Sequence, residues 1–127
     1  MIKETVIGFE QDIHRLLDVI PDQLSQFIRN HDSLSQLYEI VMDIGQVPSV
    51  RFDDNHIRLD DFPETEAADI DHVVQAIGEF NSDNRAGIEK TLHRVSSLRN
   101  RQGTVIGLTC RIGRAVFGTV SIIRDLL

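Results

Sequence analysis

The strongest constraint on this chain's fold lies near its end. Residues 94–99, RVSSLR, and 105–112, VIGLTCRI, flank the tripeptide Arg101-Gln102-Gly103. Ser96-Ser97 and the Gln-Gly step suit a strand and a tight turn, and the segment after the turn reads as a second strand. Ile88, Leu92 and Val95 are also spaced to extend a helix, but the turn chemistry favours a β-hairpin. Taking Gln102-Gly103 as a two-residue turn sets the register. Arg94 then faces Arg111, Ser96 faces Thr109 and Leu98 faces Gly107. Side chains alternate across a sheet, so these six residues share one face. Val95, Ser97, Leu108 and Cys110 take the other, which continues to Ile106 and Ile112. One face is thus apolar, and the other carries two arginines, two hydroxyls and a glycine. A loop one residue longer would exchange the two faces.

The rest of the chain supplies helices and a second hairpin. Ile13, Leu16, Leu17 and Ile20 follow the i, i+3, i+4, i+7 spacing of a helix buried on one side. Pro21 suits the first position of a second helix with Leu24, Phe27 and Ile28 on its apolar face. Tyr38, Ile40, Met42 and Ile44 alternate with Glu39, Val41 and Asp43, a strand pattern that Gly45 closes. Residues 49–59 predict a small hairpin turning at Asp53-Asp54-Asn55. Val50, Phe52, Ile57 and Leu59 lie on its apolar side, and Arg51 and Arg58 on its polar side. Thr65 is a candidate N-cap for a helix carrying Ile70, Val73, Val74, Ile77 and Phe80. Short helices are expected near Arg85–Lys90 and in the closing TVSIIRDLL, which stops at Leu127 without a cap. The expected class is α+β: a small antiparallel or mixed sheet with an arginine-rich hairpin, packed by amphipathic helices. Residues 1–127 carry no repeat or linker and read as one domain.

Charge is unevenly placed. Residues 1–83 hold 5 basic residues against 18 acidic, a net of −13, and residues 84–127 hold 8 against 2, a net of +6, which together give −7. Seven of those eight cations are Arg, whose planar fork holds phosphate or carboxylate through two bonds. Either the halves neutralise each other inside one fold, or the basic end faces an anion. Opposed like charges such as Arg94 and Arg111 are destabilising unless an anion sits between them. Gly107 and Gly113 would let such a ligand approach the backbone, and Arg114 continues the row. A sequence pI near 5.1 weighs against nucleic acid as the main partner.

Other chemistries find less support. Asp53, Asp54 and His56, and Asp69, Asp71 and His72, place carboxylates beside a histidine but match no metal-binding spacing. They read better as a solvated loop and a helix N-terminus. His93 reads as a surface strand residue. The single cysteine, Cys110, falls on the apolar face and reads as an inert core thiol. There is no nucleophile elbow and no phosphate-binding P-loop, so no catalytic constellation appears. No apolar run is long enough to cross a bilayer, and no secretory signal is visible. These features point to an intracellular domain.

Residues 83–127, with GLTCRIGRA as their most specific part, resemble the N-terminal domain of a bacterial, cyanobacterial and plastid P-loop ATPase family. That family is related to the stage III sporulation protein AA ATPase and, more distantly, to secretion-type ring ATPases. Some members carry a C-terminal single-stranded nucleic-acid-binding domain. LYEIVMDIGQVPSVRF, residues 37–52, matches the same family, so the resemblance covers residues 20–127. It implies a non-catalytic assembly and nucleotide-capping domain, cut before the P-loop core, in the cytoplasm or plastid stroma. The implied partners are an ATPase core and neighbouring subunits, with ATP and Mg belonging to the parent enzyme. Arg111 and Arg114 would contact phosphates or a neighbouring subunit, with Arg94 on the facing strand and Ser96 and Thr109 beside them. The competing expectation is a stand-alone module that binds single-stranded nucleic acid or another anion through the basic hairpin. Stacking platforms for single strands use aromatic side chains, and residues 84–127 hold only Phe117.

Overall fold

The structure, a computed structural model, describes residues 13–53, 55–78, 80, 84–88 and 91–113. Six strands form one sheet: β1 (Leu37–Asp43), β2 (Ser49–Phe52), β3 (Asn55–Arg58), β4 (Arg85–Gly87), β5 (Arg94–Arg99) and β6 (Val105–Arg111). Their order is β3-β2-β1-β6-β5-β4, and every neighbouring pair is antiparallel. The helices are α1, described over 13–17, α2 (Asp22–Arg29) and α3 (Ala67–Ile77), with a 3-10 turn at Leu34–Gln36. The fold is the expected α+β.

One face of the sheet is the core. Leu37, Ile40, Met42, Val50, Phe52, Val95, Leu108 and Cys110 are buried there. They form one cluster with Ile13, Leu16, Leu17 and Ile20, with Leu24 and Ile28 of α2, and with Ile70 and Val73 of α3. Removing this apolar surface from water is the main force holding the layers together. The opposite face carries Arg51, Arg58, Arg85, Arg94, Leu98 and Arg111, all exposed. An antiparallel sheet packed on one side alternates in this way.

The hairpin register is the expected one: Arg94 pairs with Arg111, Ser96 with Thr109 and Leu98 with Gly107. The loop, however, is one residue longer than a two-residue turn. Asn100 N–H donates to Thr104 O and Gly103 N–H to Asn100 O, both at 3.0 Å, with Gly103 at φ 84°. This is a three-residue loop with glycine in the left-handed position. The faces nevertheless stay in place, because the register shifts again between Leu98 and Arg99, leaving Ile106 as an extra residue on β6. One irregularity cancels the other.

Several local expectations are corrected. Tyr38 is not a core residue: it is 43% exposed, as the extra residue of a bulge between Leu37 and Glu39. Ile44 is 39% exposed at the strand's end, where its neighbour Gly45 turns the chain at φ 86°. Pro21 precedes the first residue of α2 as its N-cap. The cap of α3 is Glu66, not Thr65. Glu66 and Asp69 form a reciprocal capping box, while buried Thr65 exchanges backbone hydrogen bonds with Gly45 and Gln46. Gly78, at φ 87°, ends α3 before Phe80 is reached. Residues 85–87 form strand β4 instead of beginning a helix. Asn84, in the left-handed conformation at φ 60°, accepts hydrogen bonds from Ser97 N–H and Ser97 Oγ, which fasten β4 to β5. The expected helix in residues 119–127 lies outside the described residues.

Candidate anion-binding site

The pairing registers place one row of side chains across the whole exposed face. His56, Arg51, Glu39, Arg111, Arg94 and Gly87 stand side by side from β3 to β4. The next row runs Arg58, Ser49, Val41, Thr109, Ser96 and Arg85. The face is cationic because alternation along each strand sends these residues to the side away from the core.

At the β4 side of this face lies a cleft of about 420 Å³. Arg85, Arg94 and Arg111, from three adjacent strands, line it together with Ser96 and Thr109. Leu92, Ile112 and Gly113 form its apolar wall. Gly87 faces Arg94, and one Arg94 guanidinium nitrogen lies only 3.7 Å from where a glycine Cβ would stand. At that distance an added methyl would be in ordinary van der Waals contact with the guanidinium.

Four of the five expected residues therefore meet: Arg94, Ser96, Thr109 and Arg111. Arg114 lies outside the described residues. Arg85 was missed because its segment reads as a short helix. The alternation of exposed Arg85 and Gly87 with buried Ala86 and Ile88 was the available signal. Glu39 was also missed as a site residue. Its side chain is only 12% exposed, and its carboxylate lies 3.5 Å from Arg111 Nε and 4.0 Å from Arg51 Nη1. Here the acidic and basic halves of the chain do meet.

The glycines do not serve as places for a ligand to reach the backbone. A Cβ on Gly113 would collide with the Leu92 carbonyl, and one on Gly107 with the Asp43 carboxylate. Both positions are filled by the protein itself. His93 is buried, not a surface residue: it is 1% exposed, and Gly113 N–H donates to its Nδ1 at 3.0 Å. A neutral ring accepting at Nδ1 carries its proton on Nε2. His93 thus ties the end of β6 to the 91–93 turn that supplies the cleft wall. Cys110 is buried as expected, and burial pushes its thiol up to about 12, where it stays protonated and unreactive. Among the described residues no group of three or more His, Cys, Asp and Glu is placed to hold a metal ion. Likewise, among those residues no helix is long and apolar enough to cross a membrane.

Compared with known proteins, the chain is similar to an uncharacterized protein ycf45 from Porphyra purpurea, at 51% identity over 91% of the chain. It is 40% identical, over the same share, to the protein Seedling Plastid Development 1 of Arabidopsis thaliana. A ycf45 protein from Cyanidium caldarium is 39% identical, again over 91% of the chain. The chain spans 20%, 17% and 34% of these relatives' own lengths, respectively. No family model and no solved structure matches. These relatives correct the ATPase resemblance. None bears the name of an ATPase, and no ATPase family model matches. The expected nucleotide-capping role therefore falls, and with it the ATPase core and ring subunits as partners.

Proposed function

We propose that this domain binds a phosphate-bearing anion in the cleft formed by Arg85, Arg94 and Arg111. One observation carries the reading: three arginines from adjacent strands and two hydroxyls line a single cleft, with Arg94 directly opposite Arg111. A ligand with several acceptor oxygens would take forked N–H bonds from the guanidiniums and O–H bonds from Ser96 and Thr109. It would also relieve the repulsion between the opposed arginines. The reading gives the domain a binding role and assigns it no reaction. A plastid setting is part of the proposal, supported by the name of the Arabidopsis relative.

The test is a titration of the 127-residue chain with inorganic phosphate at constant ionic strength, followed by amide chemical shifts. Saturable shifts are expected at residues 85–87, 94–96 and 109–113. They should vanish in the Arg94→Gln, Arg111→Gln double variant. Shifts scattered over all basic residues, or none, would refute the reading.

A further inference from the structure

We propose that the cleft takes a phosphate ester whose organic group is apolar, and that Leu92 is the residue that selects that group. This deepens the anion reading of the cleft and rests on it.

The cleft changes character along the β5–β6 ladder. Ser96 stands against Thr109 and, two residues further on the same face, Arg94 stands against Arg111. Just past the strand ends, Gly113 lies against Leu92. Hydroxyls, guanidiniums and an apolar surface follow one another in that order, and all six residues line the one cleft. Leu92 is 55% exposed. Single exposed leucines are common on protein surfaces, but this one is set apart by its place and by how it is held. Thr91 Oγ1 donates to the Ile88 carbonyl at 2.8 Å and accepts from His93 N–H at 3.2 Å. On the other side, Gly113 N–H donates to Nδ1 of the buried His93 at 3.0 Å. The backbone on both sides of Leu92 is thus tied down. A Cβ at Gly113 would strike Leu92, so the glycine lets the leucine lie close beside the end of β6.

Size and polarity then define the ligand. The cleft, about 420 Å³, falls in the range of small-molecule sites. A bare phosphate, about as large as three water molecules at ~30 Å³ each, fills roughly a quarter of it. With the phosphate oxygens on Arg85, Arg94 and Arg111, the space toward Leu92 is left for the group that the phosphate carries. A hydroxylated group there would give up water for a leucine side chain that cannot hydrogen-bond. A hydrocarbon group would cover Leu92 and be covered by it, and both surfaces gain by leaving water.

The experiment uses two esters with the same six-membered ring, cyclohexyl phosphate and myo-inositol 1-phosphate. At pH 8 both carry a charge close to −2, so the arginines treat them alike. The saturated ring also keeps cation–π contacts with the arginines out of the comparison. Affinities are read from amide shifts at constant ionic strength, for wild type, Leu92→Ala and Leu92→Met. Removing on the order of 60 Å² of apolar surface from water is worth about tenfold in affinity. Wild type should therefore bind the cyclohexyl ester about tenfold more tightly than the inositol ester. Leu92→Ala should lose most of that preference by weakening the cyclohexyl ester alone, and Leu92→Met should keep it. Equal binding of the two esters by wild type, or tighter binding of the inositol ester, would overturn the proposal. So would a Leu92→Ala chain that weakens both esters alike, because Leu92 would then only shape the cleft. If inorganic phosphate shifts the cleft amides and neither ester does, this inference alone has failed. If none of the three compounds does, the anion reading has failed with it.

Discussion

Replacing Arg94 by threonine should make the unliganded domain more stable and the liganded domain less so. Arg94 stands directly opposite Arg111 across β5 and β6. Like charges placed so cost a few tenths to about 1 kcal/mol. Glu39 offsets part of the Arg111 charge at 3.5 Å, whereas Arg94 makes no ion pair with a carboxylate among the described residues. Threonine also has good strand propensity. Against these gains stands the loss of the Arg94 guanidinium's contact beside Gly87. The net expectation is roughly 0.3–1 kcal/mol of added stability, or a Tm about 1–4 °C higher for a domain of this size. Ligand should reverse the order. At about 100 times its Kd, a ligand adds roughly 2.7 kcal/mol to the protein that binds it and little to one that does not. The assay is thermal unfolding of both chains in chloride and in phenyl phosphate at matched ionic strength. If Arg94→Thr is less stable than wild type by the same amount in both buffers, Arg94 is a structural residue and the site argument fails.

Three further outcomes are expected. Gly113→Ala should lose about 1–3 kcal/mol in urea unfolding and weaken phosphate binding as well, because the added methyl meets the Leu92 carbonyl in the cleft wall. His93→Leu should cost about 1–3 kcal/mol in the same assay by leaving the Gly113 N–H without its Nδ1 acceptor. Cys110 should resist thiol reagents until the chain unfolds. Below pH 9 its thiol is protonated in both states. Above that the unfolded chain ionises while the folded one, pushed up to about 12, does not. Stability should therefore fall by up to about 1.4 kcal/mol per pH unit between 9 and 12, a slope that Cys110→Ala should reduce.

The hairpin shows how far local pattern reaches. Val95, Leu108 and Cys110 must face one way to reach the core, and this requirement holds even though the loop is one residue longer than a two-residue turn. Burial energy, acting over the whole strand, selected the register, and the bulge at Ile106 absorbed the difference. The amphipathic helices were legible for the same reason. Tyr38 and residues 85–87 were not. The burial of Leu37 requires a bulge beside Tyr38, and β4 exists because β5 offers it an edge to pair with. Neither partner is close in sequence.

Sequence by itself determined the fold class, the apolar face of the hairpin and the presence of Arg94, Ser96, Thr109 and Arg111 on one surface. All of these follow from side-chain periodicity and short-range turn chemistry. Only the tertiary structure decided that Arg85 joins them, that His93 is buried beneath the cleft wall, and that Glu39, from the opposite half of the chain, stands among the arginines. Strand order decides these neighbours, and it is fixed by the packing of the whole core, not by the residues on either side of them.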